Sequence, residues 1–440
     1  MQNQMTLEFF IPHAQEGDYL TFPFTMPAGV ESFTLRYRYT HRSESERRSD
    51  RATFLAQQEI NIIDLGLIDP QGLQVGASGS NKHEITITEQ RATPGYKPWP
   101  LTPGEWRILA GAYKVAPAGV TVTYELEFSF KSRRWFKGDL HTHTLASDGV
   151  CTVEELGQRA LRHGLDFLAI TDHNQMIAGE TLPQPPGLTL IQGMEWTHFR
   201  GHANFLGVDR PYDAPFAANT FEEVQSRFIS ARQRGALISI NHPYDPDCGF
   251  QFDLNRLPFD ILEVWNGPMR ESNLHALGFW QRLLASGRKI PICGGSDYHR
   301  DSPFLFLGGP TTCVYAMSAA PGDILAALQQ GHAYITFAPD GPTLSAGVGG
   351  EAAILGDSLP WREGQCLQIS AEGLIAGDVI RVVTGQGSEA ILEAECAGRM
   401  HATHPITAPG FARVEIYRAF LPGIPKLPAL LSNPIYFDYP

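Results

Sequence analysis

"GDLHTHTLASDG" (Gly138–Gly149) sets two histidines either side of one threonine and follows them with an acid. In an extended strand, residues i and i+2 point to the same side, about 6.6 Å apart. His141 and His143 can therefore grip one ion from a single strand end. An isolated H-x-H is more often a satisfied polar turn than half of a metal site. The reading depends on whether other strand ends supply the remaining donors.

They do. "LAITDHN" brings Asp172 and His173, "IQGMEWTH" brings Glu195 and His198, "ISINHP" brings His242, and "ICGGSDYH" brings Asp297 and His299. Each follows an apolar run, and Asp297 with His299 repeats the i, i+2 grip. Ten of the fifteen histidines fall between Trp135 and Phe337, which chance placement does not predict. Helix-period segments separate the runs. Thr152 with Glu155, and Thr220 with Glu223, form capping boxes, and Val153, Leu156, Ala160 and Leu161 share one apolar stripe. A third helix is expected over roughly Leu274 to Ser286. Gly164, Gly235 and Gly287 stand where the helices should stop. This alternation predicts an α/β domain with a parallel sheet, whose C-terminal strand ends build the site. Imidazole and carboxylate donors without thiolate suit Zn, Mn or Fe. His163, His275 and His332 read as ordinary polar residues and Cys293 as a small buried hydrophobe.

Outward from this segment the texture changes. Residues 1–132 are rich in β-branched and aromatic runs such as "SFTLRYRYT" and "TVTYELEFSFK", which predict a β-sandwich. "HRSESERRSDR" (His41–Arg51) reads as a charged loop. Residues 133–338 form the α/β segment. Residues 339–440, with "CLQISAEG", "DVIRVVTG" and "ARVEIYRAF", predict a smaller β-sandwich-like domain.

The 440-residue chain carries a formal net charge of -13. That disfavours a nucleic-acid polymer or an anionic membrane as partner. Six cysteines form no C-x-x-C pair, which fits reduced thiols. The start of the sequence does not read as a signal peptide, so a cytoplasmic location is expected. No P-loop, H-E-x-x-H or G-x-S-x-G motif is present. Oligomeric state is not legible.

In order, "GDLHTHTLASDG", "AITDHN", "GMEW", "NHP" and "GSDYH" resemble the polymerase-and-histidinol-phosphatase (PHP) superfamily. The flanking β-domains and "GHAYIT…GP" are most similar to its CehA/McbA branch. The resemblance implies a distorted (β/α)7 barrel holding two or three divalent ions, Zn, Mn or Fe. It implies that His141, His143, Glu195 and Asp297 hold the first ion. Glu195 would bridge to a second, completed by His242 and one more histidine. Asp148, His173 and His299 would hold a third. In "GHANFLG", Asn204 stands where the family usually has a histidine. His202, two residues earlier on the same strand face, is the expected substitute, with His198 the weaker candidate.

A centre of this kind implies a phosphoesterase that cleaves a small phosphate monoester or diester with a metal-bridging hydroxide. Asp297 or His242 would relay a proton, and Asp172 would orient a ligand histidine. Arg200, Arg270 and Arg300 are candidates to clamp phosphate. Trp196, Tyr244, Trp265 and Tyr298 are candidates for an aromatic wall. Two other readings stay open: a carbamate, ester or amide hydrolase on the same centre, and a glycan- or protein-binding module with a structural metal.

Overall fold

Between Val120 and Phe130 the side chains largely alternate between buried and outward-facing, as a strand with one face on a core must. Nine other strands join it in a first compact unit, residues 1–132. They are β1 (Gln4–Ile11), β2 (Tyr19–Met26), β3 (Val30–Arg38), β4 (Arg42–Ser49), β5 (Ala52–Glu59), β6 (Ile62–Ile68), β7 (Gln74–Ser78), β8 (Glu84–Thr88) and β9 (Gly104–Lys114), with β10 being Val120–Phe130. Two four-stranded sheets, in the orders β1-β10-β3-β8 and β2-β9-β6-β7, share one core. Phe33, Leu35 and Tyr124 come from one sheet, and Leu65, Trp106 and Ile108 from the other. This is a computed structural model, and it describes residues 3–49, 52–176, 179, 182–183, 185–349 and 353–439.

The charged stretch expected as a loop is instead half of a hairpin. β4 pairs antiparallel with β5, from Arg42↔Glu59 to Ser49↔Ala52, and residues 50–51 lie outside the described residues. Strand pairing is backbone hydrogen bonding and needs no apolar face, so a reading by hydrophobic pattern passes over it.

The second unit spans residues 133–440. Its first part holds β11 (Arg134–Asp139), α1 (Val153–Arg162), β12 (Phe167–Ile170), β13 (Thr189–His198), β14 (Gly201–Leu206), α2 (Phe221–Gln233), β15 (Leu237–Ile240), β16 (Ile261–Asn266), α3 (Glu271–Ala285), β17 (Ile292–Gly295), β18 (Thr311–Ala316), α4 (Pro321–Gln329) and β19 (Ala333–Thr336). Both capping boxes form, with the Thr152 and Thr220 side chains accepting from the backbone of Glu155 and Glu223. Gly164, Gly235 and Gly287 have φ of 76°, 92° and 86°, the left-handed geometry that ends a helix.

The strand pattern is mixed α/β rather than a strict (β/α)7 alternation. β11-β12-β13 and β15-β16-β17 are parallel, but β14 runs antiparallel to both β13 and β15. Only Phe199 and Arg200 separate β13 from β14, too short a connection for a crossover helix. β18 is antiparallel to β11. At the far end, β17 meets β18 through the Thr312 hydroxyl, which accepts from Gly294 N–H at 2.9 Å and donates to Gly294 O at 2.7 Å.

Part of residues 339–440 continues this sheet, while Thr343–Val348, Cys366–Leu374 and Gly398–Pro405 form a separate three-stranded sheet. The strand Leu427–Ser432 pairs with β19, and Gly410–Arg418 pairs with Leu427–Ser432. The cores merge as well. Phe411 and Leu431 pack with Trp280 and Leu284 of α3. The Arg413 guanidinium lies 4.7 Å from the Trp280 ring and donates to Gln281 Oε1 at 3.1 Å. Among the described residues no helix is long and apolar enough to cross a membrane.

Candidate metal centre

β11, β12, β15 and β17 end at one rim, and β14, running the other way, begins there. That direction is why His202 sits at the start of its strand, whereas Glu195 lies within β13 and His141, His173, His242 and Asp297 follow the ends of theirs. His202 pairs with Thr197, and Asn204 with Glu195, so all four share one face of the β13–β14 pair.

Glu195 is fully buried at the middle of the cluster. Its Oε1 lies 3.1 Å from His141 Nε2, 3.2 Å from His202 Nδ1 and 3.3 Å from His242 Nε2. Its Oε2 lies 2.8 Å from His173 Nδ1 and 3.5 Å from His143 Nε2. Asp297 Oδ1 stands opposite, 3.1 Å from His143 Nε2 and 3.4 Å from His141 Nε2. Asp148 Oδ1 lies 3.1 Å from His299 Nε2 and 3.6 Å from His173 Nε2. The structure thus brings together all nine residues expected as ligands.

Among the described residues, four buried atoms here lie close to one another yet make no hydrogen bond of good geometry: His141 Nε2, His143 Nε2, Glu195 Oε2 and Asp297 Oδ1. Buried polar atoms are almost always satisfied, so four such atoms facing one another are the arrangement a shared cation would satisfy. The His141 tautomer is set from behind, because its Nδ1–H donates to Glu263 Oε1 at 3.0 Å. That leaves the Nε2 lone pair aimed at Glu195 and Asp297, as for a metal-ligating histidine backed by a carboxylate. The donors fit divalent ions, in groups formed by His141, His143 and Glu195, by His141, His242 and Asp297, and by His143, Asp148, His173 and His299.

Electrostatics agree with this. Burial pushes the Glu195 carboxyl up, but the surrounding histidines, His141 foremost, hold it well below the usual carboxylate range. Burial likewise opposes charge on His141, yet Asp297, Glu195 and Glu263 raise it well above an ordinary histidine. At His143 burial wins, and its basicity is lowered. Without a metal, protons on His141 and on His242, which is also raised, offset the buried carboxylates.

The backbone is strained where it aims donors. His242 and Asp297 have φ of 27° and 53°, a region costing non-glycine residues about 1–3 kcal/mol. Glu263 holds the first, accepting from His242 N–H at 2.8 Å. Gly295 allows β17 to approach β11, since a Cβ there would lie 2.4 Å from that of His141. Gly149 lets the "SDG" loop fold back, since a Cβ there would meet His143 O at 2.3 Å.

Other candidates lie elsewhere or serve other ends. His198 is fully engaged, with Nε2 donating to Ala218 O at 3.0 Å and Nδ1 accepting from Arg200 N–H at 3.1 Å. Asn204 donates to Leu140 O and accepts from Asn241. Asp172 is buried, and its carbonyl accepts from Glu195 N–H at 3.3 Å, but its carboxylate does not hydrogen-bond a ligand histidine directly. It accepts from Thr144 N–H at 2.7 Å, Thr144 Oγ1 at 2.8 Å and Ser147 Oγ at 2.7 Å, and so shapes the loop after His143. Arg270 donates to Asn266 Oδ1 at 2.9 Å, and Asn266 donates to Asp297 Oδ2 at 3.4 Å. Arg200 lies 4.9 Å from the Phe252 ring, and Arg300 is exposed. Trp196, Trp265 and Tyr298 are core residues with satisfied polar atoms, so of the proposed aromatic wall only Tyr244 remains exposed.

Sequence reasoning missed Glu263, Asn266 and Asp139. The signal for Glu263 was an acid inside "DILEVWNG", a strand buried at every position. Asp139 accepts from His141 N–H, Ser296 N–H and Oγ, and Gly308 N–H, which clamps the β11 end to the β17 end. Burial pushes its carboxyl up to about 6 despite these bonds.

The chain is similar to several known proteins over part of its length. Residues 139–261 match the PHP domain family. The chain is 37% identical over 100 residues to the 5'-3' exoribonuclease Rnm of Salmonella typhimurium, covering 20% of this chain and 34% of that protein. It is 26% identical over 171 residues to a "Probable phosphatase" of Acetivibrio thermocellus, covering 32% of this chain and 66% of that protein. The chain therefore spans about a third of the first relative and just under two thirds of the second. The crystal structure of a two-domain protein containing a "predicted PHP-like metal-dependent phosphoesterase" from Bacteroides vulgatus ATCC 8482 aligns at 18% identity. It covers 69% of this chain and 95% of that one, with a TM-score of 0.40. The segment carrying His141 through His242 thus matches the PHP domain, and Asp297 and His299 complete the cluster from beyond it.

Proposed function

We propose that the chain is a metal-dependent phosphoesterase acting on small phosphate monoesters or diesters at a centre of two or three divalent ions. The single observation that carries this is the set of four buried donor atoms, none in a hydrogen bond of good geometry, converging at the strand-end rim. The cluster is closed on one side and open on the other. His141 and Glu195 are 0% exposed, whereas the Asp148 side chain is 57% and that of Asp297 25% exposed. Structural metal sites are closed, so the open side favours a site that admits substrate over a purely structural metal.

Bound ions would supply Lewis acidity and an acidified water. The protein residues do the rest. Arg270, fixed by Asn266 beside Asp297, presents its guanidinium to a phosphate oxygen. Asp297 or His242 would relay the proton: Asp297 is the more open to solvent, though against burial its histidine neighbours hold its carboxyl well below the usual carboxylate range, whereas His242 is raised above an ordinary histidine. Asp172 acts through the loop it holds, as a positioning residue. The finer placement in the CehA/McbA branch is also proposed, on the strength of the β-rich segments either side of the α/β segment and of "GHAYIT…GP".

The test is a kcat/KM panel of an aryl phosphate, a bis-aryl phosphate, an aryl carbamate and a carboxylic ester, run on wild type and Arg270→Ala. A charge-assisted hydrogen bond of about 1.5–3 kcal/mol predicts a phosphate-selective loss of roughly 10–100-fold. Carbamate turnover above phosphate turnover, or an equal loss on both, would favour the amide and carbamate chemistry instead.

A further inference from the structure

Cys248 lies beside His242, on the side away from Glu195. Its sulfur is 3.6 Å from His242 Nδ1, while His242 Nε2 faces Glu195 Oε1 at 3.3 Å. His202, His242 and Cys248 each offer one donor atom, all within 4.8 Å of one another. The loop makes this meeting local. Asp245 N–H donates to His242 O at 2.9 Å, and Asp245 Oδ1 accepts from Cys248 N–H at 3.2 Å, folding the chain back over the imidazole.

The spacing carries chemical information. With zinc–sulfur at about 2.3 Å and zinc–nitrogen at about 2.0–2.1 Å, a tetrahedral angle separates the two donors by about 3.6 Å. Cys248 Sγ and His242 Nδ1 already stand at that spacing, in a hydrogen bond, with the thiol also 3.3 Å from Asp245 Oδ1, so a metal could enter between sulfur and nitrogen without moving them. The thiol is half-buried, so it is neither sealed in the core nor loose at the surface.

We infer that His202, His242 and Cys248 form a mixed nitrogen–sulfur metal position adjoining the nitrogen–oxygen cluster, selective for zinc or a similarly thiophilic divalent ion. This deepens the metal-centre reading and rests on it, because His202 and His242 belong to both. Coordination replaces the thiol proton and, because His242 also offers Nε2 to the cluster, the remaining ring proton of that imidazole, Cys–SH + His–H + M²⁺ → Cys–S–M–His + 2 H⁺, with both protons released to solvent and no change of oxidation state. A thiolate donor separates this position from the carboxylate-rich one, where manganese competes more evenly.

The test uses full-length protein loaded with Co²⁺. Wild type should show a sulfur-to-cobalt charge-transfer band in the near ultraviolet. Cys248→Ser should lose that band while keeping the d–d absorption of cobalt at the other donors. Cys366→Ser, at another partly exposed thiol, should keep it. Zinc should also slow alkylation of Cys248 in wild type by at least about tenfold, read by peptide mass spectrometry, which requires no variant to fold. If cobalt binds without the band, or zinc leaves the alkylation rate unchanged, the sulfur is not a ligand and the phosphoesterase reading is untouched. If no cobalt binds, both readings fall together.

Discussion

Asp297→Ala should lower kcat/KM for a phosphate ester by on the order of a thousand-fold and remove at least one bound ion per chain. The carboxylate faces both His141 and His143, and its Oδ1 is one of the four buried atoms without a hydrogen bond of good geometry. Deleting it takes away a ligand and a counter-charge for His141, which its carboxylate neighbours raise against burial. Metal-derived stabilisation of several kcal/mol, at about 1.4 kcal/mol per factor of ten, gives that magnitude. Metal content by mass spectrometry, measured alongside steady-state kinetics, checks it. A variant that keeps full metal content and turnover would show that Asp297 is not part of the centre.

Glu263→Gln is expected to weaken metal binding by about 10–100-fold while the protein stays folded, the usual cost of losing a carboxylate behind a ligand histidine. One oxygen of Glu263 accepts from His141 Nδ1–H, and the other from His242 N–H and the Asn266 amide. A glutamine keeps the shape but turns an N–H₂ towards a group that is already a donor. His141 then loses its fixed tautomer, or His242 loses the bond that holds its strained backbone. Competition against a chelator of known affinity, with a circular dichroism melt for folding, reads both effects. Unchanged affinity would reduce Glu263 to a buried acid with no role in the centre.

What was legible in the sequence was local. The capping boxes at Thr152 and Thr220 are hydrogen bonds across three residues, so the motif and the bond are nearly the same fact. The strand-end donors were legible because each sits beside an apolar run, and many runs agreed. His202 could be named because strand register fixes which residues share a face. Glu263 was hidden because its partners His141 and His242 lie 122 and 21 residues away. Asp139 was hidden in the same way, with Ser296 157 residues off. Whether the aromatics beside strand ends are wall or core stayed open in the sequence, because exposure, not sequence proximity to a strand end, decides whether a tryptophan meets solvent. The antiparallel β14 broke the expected alternation because a two-residue turn leaves no room for a helix.

The central claim is that these residues hold catalytic divalent ions, and chelation tests it most directly. Protein purified without added metal, stripped and then titrated with Zn²⁺, Mn²⁺ or Fe²⁺, should lose phosphoesterase turnover on stripping. Turnover should return as two or three ions per chain are restored. Full turnover in the stripped protein, or a metal-replete protein that cleaves neither phosphate monoesters nor diesters, would contradict the account.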